Sequence, residues 1–105
     1  MASKSRKQQI EEMLAADPDD PFLRYGLAME YVSAGQPGEA ARCLQELIRI
    51  SPEYVPAYFH AGKALIELGR EDEARAVLRS GIAVATRKGE GHAAEEMEGL
   101  LDGIG

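Results

Sequence analysis

A repeat of 34 residues runs through this chain and limits the architectures open to it. When the sequence is shifted by 34 positions, residues of the same character coincide over two consecutive units. Repeats of this length are single supersecondary units that bury their apolar faces only by stacking on neighbours. The sequence therefore predicts a stacked array with one continuous core. The coinciding pairs are Pro18 with Pro52, Tyr25 with Phe59, Ala28 with Gly62, Gly35 with Gly69, Glu39 with Glu73, Ala40 with Ala74 and Leu44 with Leu78.

Proline and glycine divide the chain into helix-sized segments. Breaks are expected near Pro18, Gly35, Pro52, Gly69 and Gly89, because these residues end helices or form turns. Tryptophan is absent and only 6% of residues are aromatic, whereas Ala, Leu, Glu and Arg are abundant. We expect an all-α protein of about six helices, an α-solenoid. The expected helices cover 4–16, 21–34, 38–50, 54–68, 71–85 and 92–102.

Length and charge exclude several classes of function. A chain of 105 residues suits one domain, and its 45% apolar residues supply a core without a metal or disulfide. The net charge of −6 repels phosphate backbones and anionic lipid, so neither nucleic acid nor a membrane is an expected partner. No segment has the apolar length of a signal peptide or a membrane span. Because Cys43 is the only cysteine, no internal disulfide forms, and a cytoplasmic location is predicted.

Small side chains recur where the two helices of each unit would cross. Ala28 and Ala40 are expected at this crossing in the first unit, and Gly62 and Ala74 in the second. Small residues let two helices approach closely, so larger apolar side chains must fill the space beside them. The residues expected to fill it are Leu27, Tyr31, Leu44 and Leu47.

These residues resemble the tetratricopeptide repeat, whose 34-residue unit reads Trp-x-x-Leu-Gly-x-x-Tyr, then Ala-x-x-x-Phe, then Pro. Two positions depart from the pattern, since Arg24 replaces the first aromatic residue and Thr86 replaces proline. The resemblance implies helical hairpins and binding of a protein or peptide. It is carried in the first unit by Leu27, Ala28, Tyr31, Ala40, Leu44 and Pro52, and in the second by Tyr58, Ala61, Gly62, Leu65, Ala74 and Leu78.

The resemblance implies two full units with a half-unit at each end of a single domain, 1–105. Repeat 1 is expected over 21–54 and repeat 2 over 55–88. An N-terminal half-repeat helix is expected over 3–17, and a C-terminal capping helix over 90–104. We expect the flanking helices to act as structural caps, because the outermost surfaces of a stacked array face solvent.

Residues that carry enzyme chemistry are sparse. His60, His92 and Cys43 lack the short spacing of zinc ligands, so no metal or cofactor is expected. No serine lies in a nucleophile-elbow motif, and no glycine-rich phosphate loop precedes a helix. The acidic runs 17–20 and 71–73 stand at helix starts, where carboxylates stabilise the positive end of the helix dipole. The chain is therefore not expected to be an enzyme.

The helix expected over 21–34 has a second apolar stripe in addition to its core face. The core face carries Leu27, Ala28 and Tyr31, and the second stripe lies about 130° away at ~100° per residue. In proteins that this chain resembles, first-helix residues of this kind line a concave groove that holds a peptide. The resemblance therefore implies a peptide-binding groove formed by Phe22, Tyr25, Met29, Val32, Phe59, Lys63 and Ile66.

The preferred interpretation is a non-catalytic protein–protein interaction module that binds a peptide or protein segment in this groove. Tyr25 and Met29 occupy places where the family's carboxylate-clamping members have Lys and Asn, which argues against a C-terminal carboxylate as ligand. Lys63 leaves room for one acidic contact. Two alternatives stay open. The stripe packs internally against neighbouring helices, or the chain is a homo-oligomeric scaffold that self-associates through the groove or its end helices.

Overall fold

The computed structural model describes residues 3–104, and all regular structure in this range is helical. The ends of the predicted single domain, residues 1, 2 and 105, lie outside the described residues. The described part of the molecule measures 49 × 28 × 20 Å, the elongated shape expected of a short stack of helices. The prediction of an all-α helical array is confirmed. The helices are α1 (Arg6–Ala16), α2 (Pro21–Ser33), α3 (Pro37–Ile50), α4 (Val55–Glu67), α5 (Glu71–Arg87) and α6 (Gly91–Ile104).

Helix starts are stabilised by side chains that the sequence places there. The Ser5 hydroxyl accepts a hydrogen bond from the backbone N–H of Gln8, whose side chain accepts one from the backbone N–H of Ser5. This capping box satisfies donors that the first turn of α1 leaves free. At α2, the Asp20 carboxylate accepts from the backbone N–H of Leu23 at 3.0 Å. Within the acidic run 17–20, Asp20 is therefore the residue that caps α2.

Glycines with a left-handed backbone end the first helix of each hairpin. Gly35 follows α2 with φ of 71°, and Gly69 follows α4 with φ of 75°. Only glycine adopts this conformation without steric cost, and it turns the chain back sharply. After Gly69, the N–H of Arg70 donates to the carbonyl of Leu65 at 2.9 Å and so satisfies a free helix-end acceptor.

Helix α5 is two residues longer than expected, ending at Arg87 instead of Ala85. The reason is Thr86, which stands where the repeat pattern has proline and which continues the helix. The extension brings the basic end of α5 against the turn between α3 and α4. There Lys88 Nζ donates to the Glu53 carbonyl at 2.7 Å, and Arg87 forms an ion pair with the Glu53 carboxylate.

The core is continuous along the stack, because each first helix packs on the hairpin before it. Ala57 and Ala61 of α4 share a buried cluster with Ala28 of α2 and with Leu44 and Leu47 of α3. The next cluster joins α4, α5 and α6 through Tyr58, Leu78 and Met97. The small residues expected at the helix crossings, Ala28, Ala40, Gly62 and Ala74, are all buried.

Two side chains expected in the core are less buried than predicted. Leu27 and Tyr31 of α2 are only half-buried, whereas Leu44 and Leu47 of α3 are completely buried. Lys7 of α1 places its ammonium group 4.7 Å from the centroid of the Tyr31 ring, so a long charged side chain covers part of this ring.

The departure at Arg24 is compensated by a hydrogen bond. In the second unit, Tyr58 Oη donates to the carbonyl of Pro52 at 2.7 Å. In the first unit, Arg24 Nε donates to the carbonyl of Pro18 at 2.5 Å. Arg24 and Pro18 lie 34 residues before Tyr58 and Pro52, so the arginine makes the contact that the aromatic hydroxyl makes in the next unit.

None of the helices within residues 3–104 combines the length and the apolar character needed to cross a membrane.

Candidate functional site

Helices α2 and α4 lie side by side and join their aromatic side chains into one row. The Tyr25 ring of α2 meets the Tyr54 ring with centroids 5.3 Å apart, and the His60 ring of α4 at 5.8 Å. His60 in turn meets Phe59 at 5.1 Å. All three contacts are edge to face, the arrangement that aromatic quadrupoles favour. The row fixes the positions of Tyr25 and Phe59, two of the predicted groove residues.

The titratable groups in this row are held neutral by their surroundings. Burial raises the pKa of Tyr25, and the neighbouring Tyr54 adds to the rise. Burial also raises the pKa of Tyr54. For His60, burial lowers the pKa and the Lys63 ammonium lowers it further, while Glu96 opposes both. The row is therefore uncharged at neutral pH, and Lys63 is the cation beside it.

Six of the seven predicted groove residues line three cavities between the helices. Between α1 and α2, a cavity of about 390 Å³ is lined by Phe22, Tyr25 and Met29. Between α2 and α4, a cavity of about 90 Å³ is lined by Val32 and Lys63. A third cavity of about 270 Å³, between α4 and α6, is lined by Phe59. Ile66 packs against the core clusters and lines none of the three.

The exposure of these residues differs as much as their positions. Phe22 is 74% exposed and Val32 is 43% exposed, and Lys63 is also exposed. The other four are half-buried and pack against core clusters or other rings: Tyr25, Met29, Phe59 and Ile66. Internal packing therefore accounts for part of the stripe and leaves another part facing solvent. The assignment of these residues to a ligand stays a prediction.

Three residues of this surface were not predicted. His60 lines both the cavity between α2 and α4 and the one between α4 and α6. Glu90 and Glu96 line the second of these. The repeat comparison gave no signal for His60, because the residue 34 positions earlier is Gly26. Glu90 directly precedes α6 and Glu96 lies on it, and the sequence predicted this segment only as a capping helix.

The described residues 3–104 contain no group of three or more His, Cys, Asp or Glu placed to hold a metal ion. Cys43 is half-buried on α3, and burial raises the pKa of its thiol. A thiol with a raised pKa is a weak nucleophile, because the thiolate is the reactive form.

Comparison of the chain with known proteins identifies its family. The family model described as tetratricopeptide repeat matches residues 31–96, which is more than half of the chain. The chain belongs to the tetratricopeptide repeat (TPR) family. The match begins at Tyr31 near the end of α2 and ends at Glu96 in α6, so it contains the whole of α3, α4 and α5.

Other TPR proteins resemble this chain over most of its length. TPR repeat-containing protein PA0015 of Pseudomonas aeruginosa is 35% identical over 92 residues, which cover 88% of each chain. The crystal structure of a tetratricopeptide repeat domain protein from Salinibacter ruber has a TM-score of 0.76 at 33% identity, covering 81% of this chain and 94% of that one. The solution structure of protein BPP2914 from Bordetella parapertussis has a TM-score of 0.83 at 27% identity, covering 97% and 89%.

Membership of the TPR family has a coarse functional meaning. TPR units are generally non-catalytic scaffolds that bind proteins or peptides, so the chain is a protein-interaction module by class. The site that such a module uses depends on its own side chains, because one repeat fold serves many partners.

Proposed function

We propose that this chain is a non-catalytic adaptor that binds a segment of another protein along its first-helix face. We define this face as the side of α2, α4 and α6 that carries the row Tyr25, His60 and Phe59 with Val32 and Lys63. The observation that carries the proposal is the aromatic row itself. The row crosses from one repeat to the next. One cavity lies beside it between α2 and α4, and another lies between α4 and α6.

The chemistry of the face fits a short peptide with mixed character. Exposed Val32 and the half-buried rings offer apolar contacts, which carry most of the energy at interfaces with an aromatic centre. Lys63 lies over the Phe59 ring with its nitrogen 5.5 Å from the centroid, in position to meet a carboxylate of the partner. Glu90 and Glu96 border the cavity between α4 and α6, where a basic side chain of the partner would be attracted.

The proposal also places this module in the cytoplasm and assigns it no reaction. The single Cys43 is free, which fits a reducing compartment. The aromatic row supports a role in recognition, since its rings hold one another in place edge to face and the Lys63 ammonium group beside it is exposed.

A selected peptide tests the proposal. A displayed library of random peptides is panned on the wild-type chain, and the affinity of the strongest peptide is measured by calorimetry. Phe59→Ala should weaken binding by about tenfold or more, because it removes the end of the aromatic row. Lys63→Glu should weaken a peptide that carries a carboxylate by about fivefold and change the salt dependence of binding.

The matched control is Arg79→Glu, which makes the same change of charge at an exposed position of α5. It should leave the affinity unchanged, and circular dichroism should show that all three variants are folded. Amide chemical shifts of the bound chain should change in α2, α4 and α6. Changes confined to α3 and α5, or equal losses in Lys63→Glu and Arg79→Glu, would contradict the proposal.

A further inference from the structure

The cavity between α4 and α6 combines apolar walls with two carboxylates. It has a volume of about 270 Å³, and its apolar walls include Pro56 and Phe59 of α4 and Ala93 of α6. Glu90 and Glu96 line it from the side of α6. Among the described residues 3–104 that line this cavity, none is a lysine or an arginine. The cavity therefore offers an apolar surface for a side-chain stem and negative charge for its end.

The two carboxylates have weak partners within the described part of the chain. Glu96 Oε1 lies 3.6 Å from His92 Nε2, and this histidine attracts the carboxylate only when it is protonated. Lys88 Nζ lies 3.9 Å from Glu90, but it donates a hydrogen bond to the Glu53 carbonyl at 2.7 Å. Ion pairs between exposed groups contribute little, so a cation from another molecule can replace them at small cost.

Stabilisation of α6 explains only part of its negative charge. Residues 89–105 contain no lysine or arginine, and they carry five acidic residues, Glu90, Glu95, Glu96, Glu98 and Asp102. Glu90 directly precedes α6, where a carboxylate stabilises the positive end of the helix dipole. Glu96 lies in the middle of the helix, where the dipole has little effect. A basic ligand in the cavity accounts for both glutamates.

Glu96 extends the first-helix face onto α6. His60 is the sixth residue of α4, and Glu96 is the sixth residue of α6. Burial and Lys63 lower the pKa of His60 while Glu96 opposes them, so the Glu96 charge lies near the His60 ring. His60 itself lines the cavity. A segment bound along the aromatic row therefore reaches this cavity at the α6 end of the face.

We propose that the cavity between α4 and α6 binds an arginine side chain of the partner segment. This assignment rests on the proposed peptide binding and specifies one residue of the partner. The aliphatic stem of the arginine packs on Pro56 and Phe59. Its planar guanidinium group has five N–H donors, which serve both Glu90 and Glu96. The compact ammonium group of a lysine fits two separate carboxylates less well.

Peptide selection on three forms of the chain gives the first test. A displayed library of random peptides is panned in parallel on the wild-type chain, on Glu90→Gln/Glu96→Gln and on Glu95→Gln/Glu98→Gln. The last form is the matched control, because it removes the same charge from exposed positions of α6 that do not line the cavity. Arginine should be enriched at one position of the peptides from the wild-type and control chains. The peptides from Glu90→Gln/Glu96→Gln should lack this enrichment.

Affinity measurements on one selected peptide show whether its arginine meets these two carboxylates. Replacing that arginine with glutamine should weaken binding to the wild-type and control chains by about tenfold. On Glu90→Gln/Glu96→Gln the same replacement should have little effect, because the partners of the arginine are already gone. Circular dichroism verifies that both double variants are folded. Intermolecular NOEs should connect the arginine side chain with the Phe59 ring.

The possible failures of this test separate the two proposals. Peptides that bind the wild-type chain without a preferred arginine would overturn the arginine site and leave the proposed function standing. An equal loss of affinity on all three chains would also overturn it, because the arginine would then respond only to the overall negative charge of the protein. If no peptide binds the wild-type chain, both the arginine site and the proposed peptide binding are wrong.

Discussion

At the scale of single residues, His60 joins the packing of the array to its surface. Its ring contacts Tyr25 on α2 and Phe59 on its own helix, α4. Burial lowers its pKa below the ordinary value of 6.5, and Lys63 adds to this effect. Because the pKa of His60 is lower in the folded chain than in the unfolded chain, the unfolded chain binds the proton more readily. Protonation of His60 therefore opposes folding.

The stability of the fold should therefore depend on pH near neutrality. Below the ordinary pKa of 6.5 the unfolded state takes up a proton at His60 that the folded state does not, so stability falls as the pH drops from about 7.5 toward the lowered pKa. Urea unfolding at several pH values measures this slope. His60→Gln should flatten it, whereas the control His92→Gln, at an exposed position of α6, should keep it. An unchanged slope in His60→Gln would show that the ring titrates equally in both states.

At the scale of helices, two successive helix contacts place their large and small residues differently. The contact between α3 and α4 has its large residue on the earlier helix, and the contact between α5 and α6 has it on the later helix. Leu47 of α3 and Ala61 of α4 share one cluster. Gly81 lies 34 residues after Leu47, and Met97 fills the space that its missing side chain leaves. A Cβ atom at Gly81 would lie 2.6 Å from Met97 Sδ and 2.5 Å from Tyr58 Cβ. The large side chain therefore lies on α3 in the first contact and on α6 in the second.

Gly81→Ala should destabilise the chain although alanine is the better helix former. Overpacking costs about 1–3 kcal/mol and helix propensity returns about 1 kcal/mol, so a net loss of up to about 2 kcal/mol is expected. The control is Gly99→Ala in α6, where no atom lies within 4 Å of the added Cβ. That change should stabilise by about 0.5–1 kcal/mol. Denaturation midpoints measure both, and a stabilised Gly81→Ala would mean that Tyr58 and Met97 move aside freely.

At the scale of the whole molecule, burial is greatest in the middle of the stack. Helices α4 and α5 each contribute at least five buried residues, whereas Ile10 is the only buried residue of α1 within the described chain. In a repeat array each helix is stabilised mainly by its immediate neighbours. The array should therefore open from its N-terminal end.

Hydrogen exchange should report this gradient. Amides of α1 should exchange fastest and amides of α4 and α5 slowest, because local opening depends on the apolar contacts that must be broken. Uniform protection over all six helices would mean that the array unfolds only as one unit.

The sequence by itself determined the architecture of this protein. The 34-residue period, the turn glycines Gly35 and Gly69, and small residues such as Ala28 and Ala40 predicted the helices and their crossings, because these features depend on local backbone preference and on helix spacing. The resemblance to the TPR family followed from the same residues.

The tertiary structure alone decided how far each side chain of the predicted stripe is exposed. The predicted stripe was divided into exposed Phe22 and Val32 and half-buried Tyr25 and Phe59, since exposure depends on how far neighbouring helices cover each side chain. It also brought His60 into the aromatic row. The compensation between Gly81 and Met97 escaped the repeat comparison, because α6 begins 36 residues after α4 and the 34-residue register is lost there. Local sequence determines helices, but contacts between helices distant in sequence determine which faces remain to bind a partner.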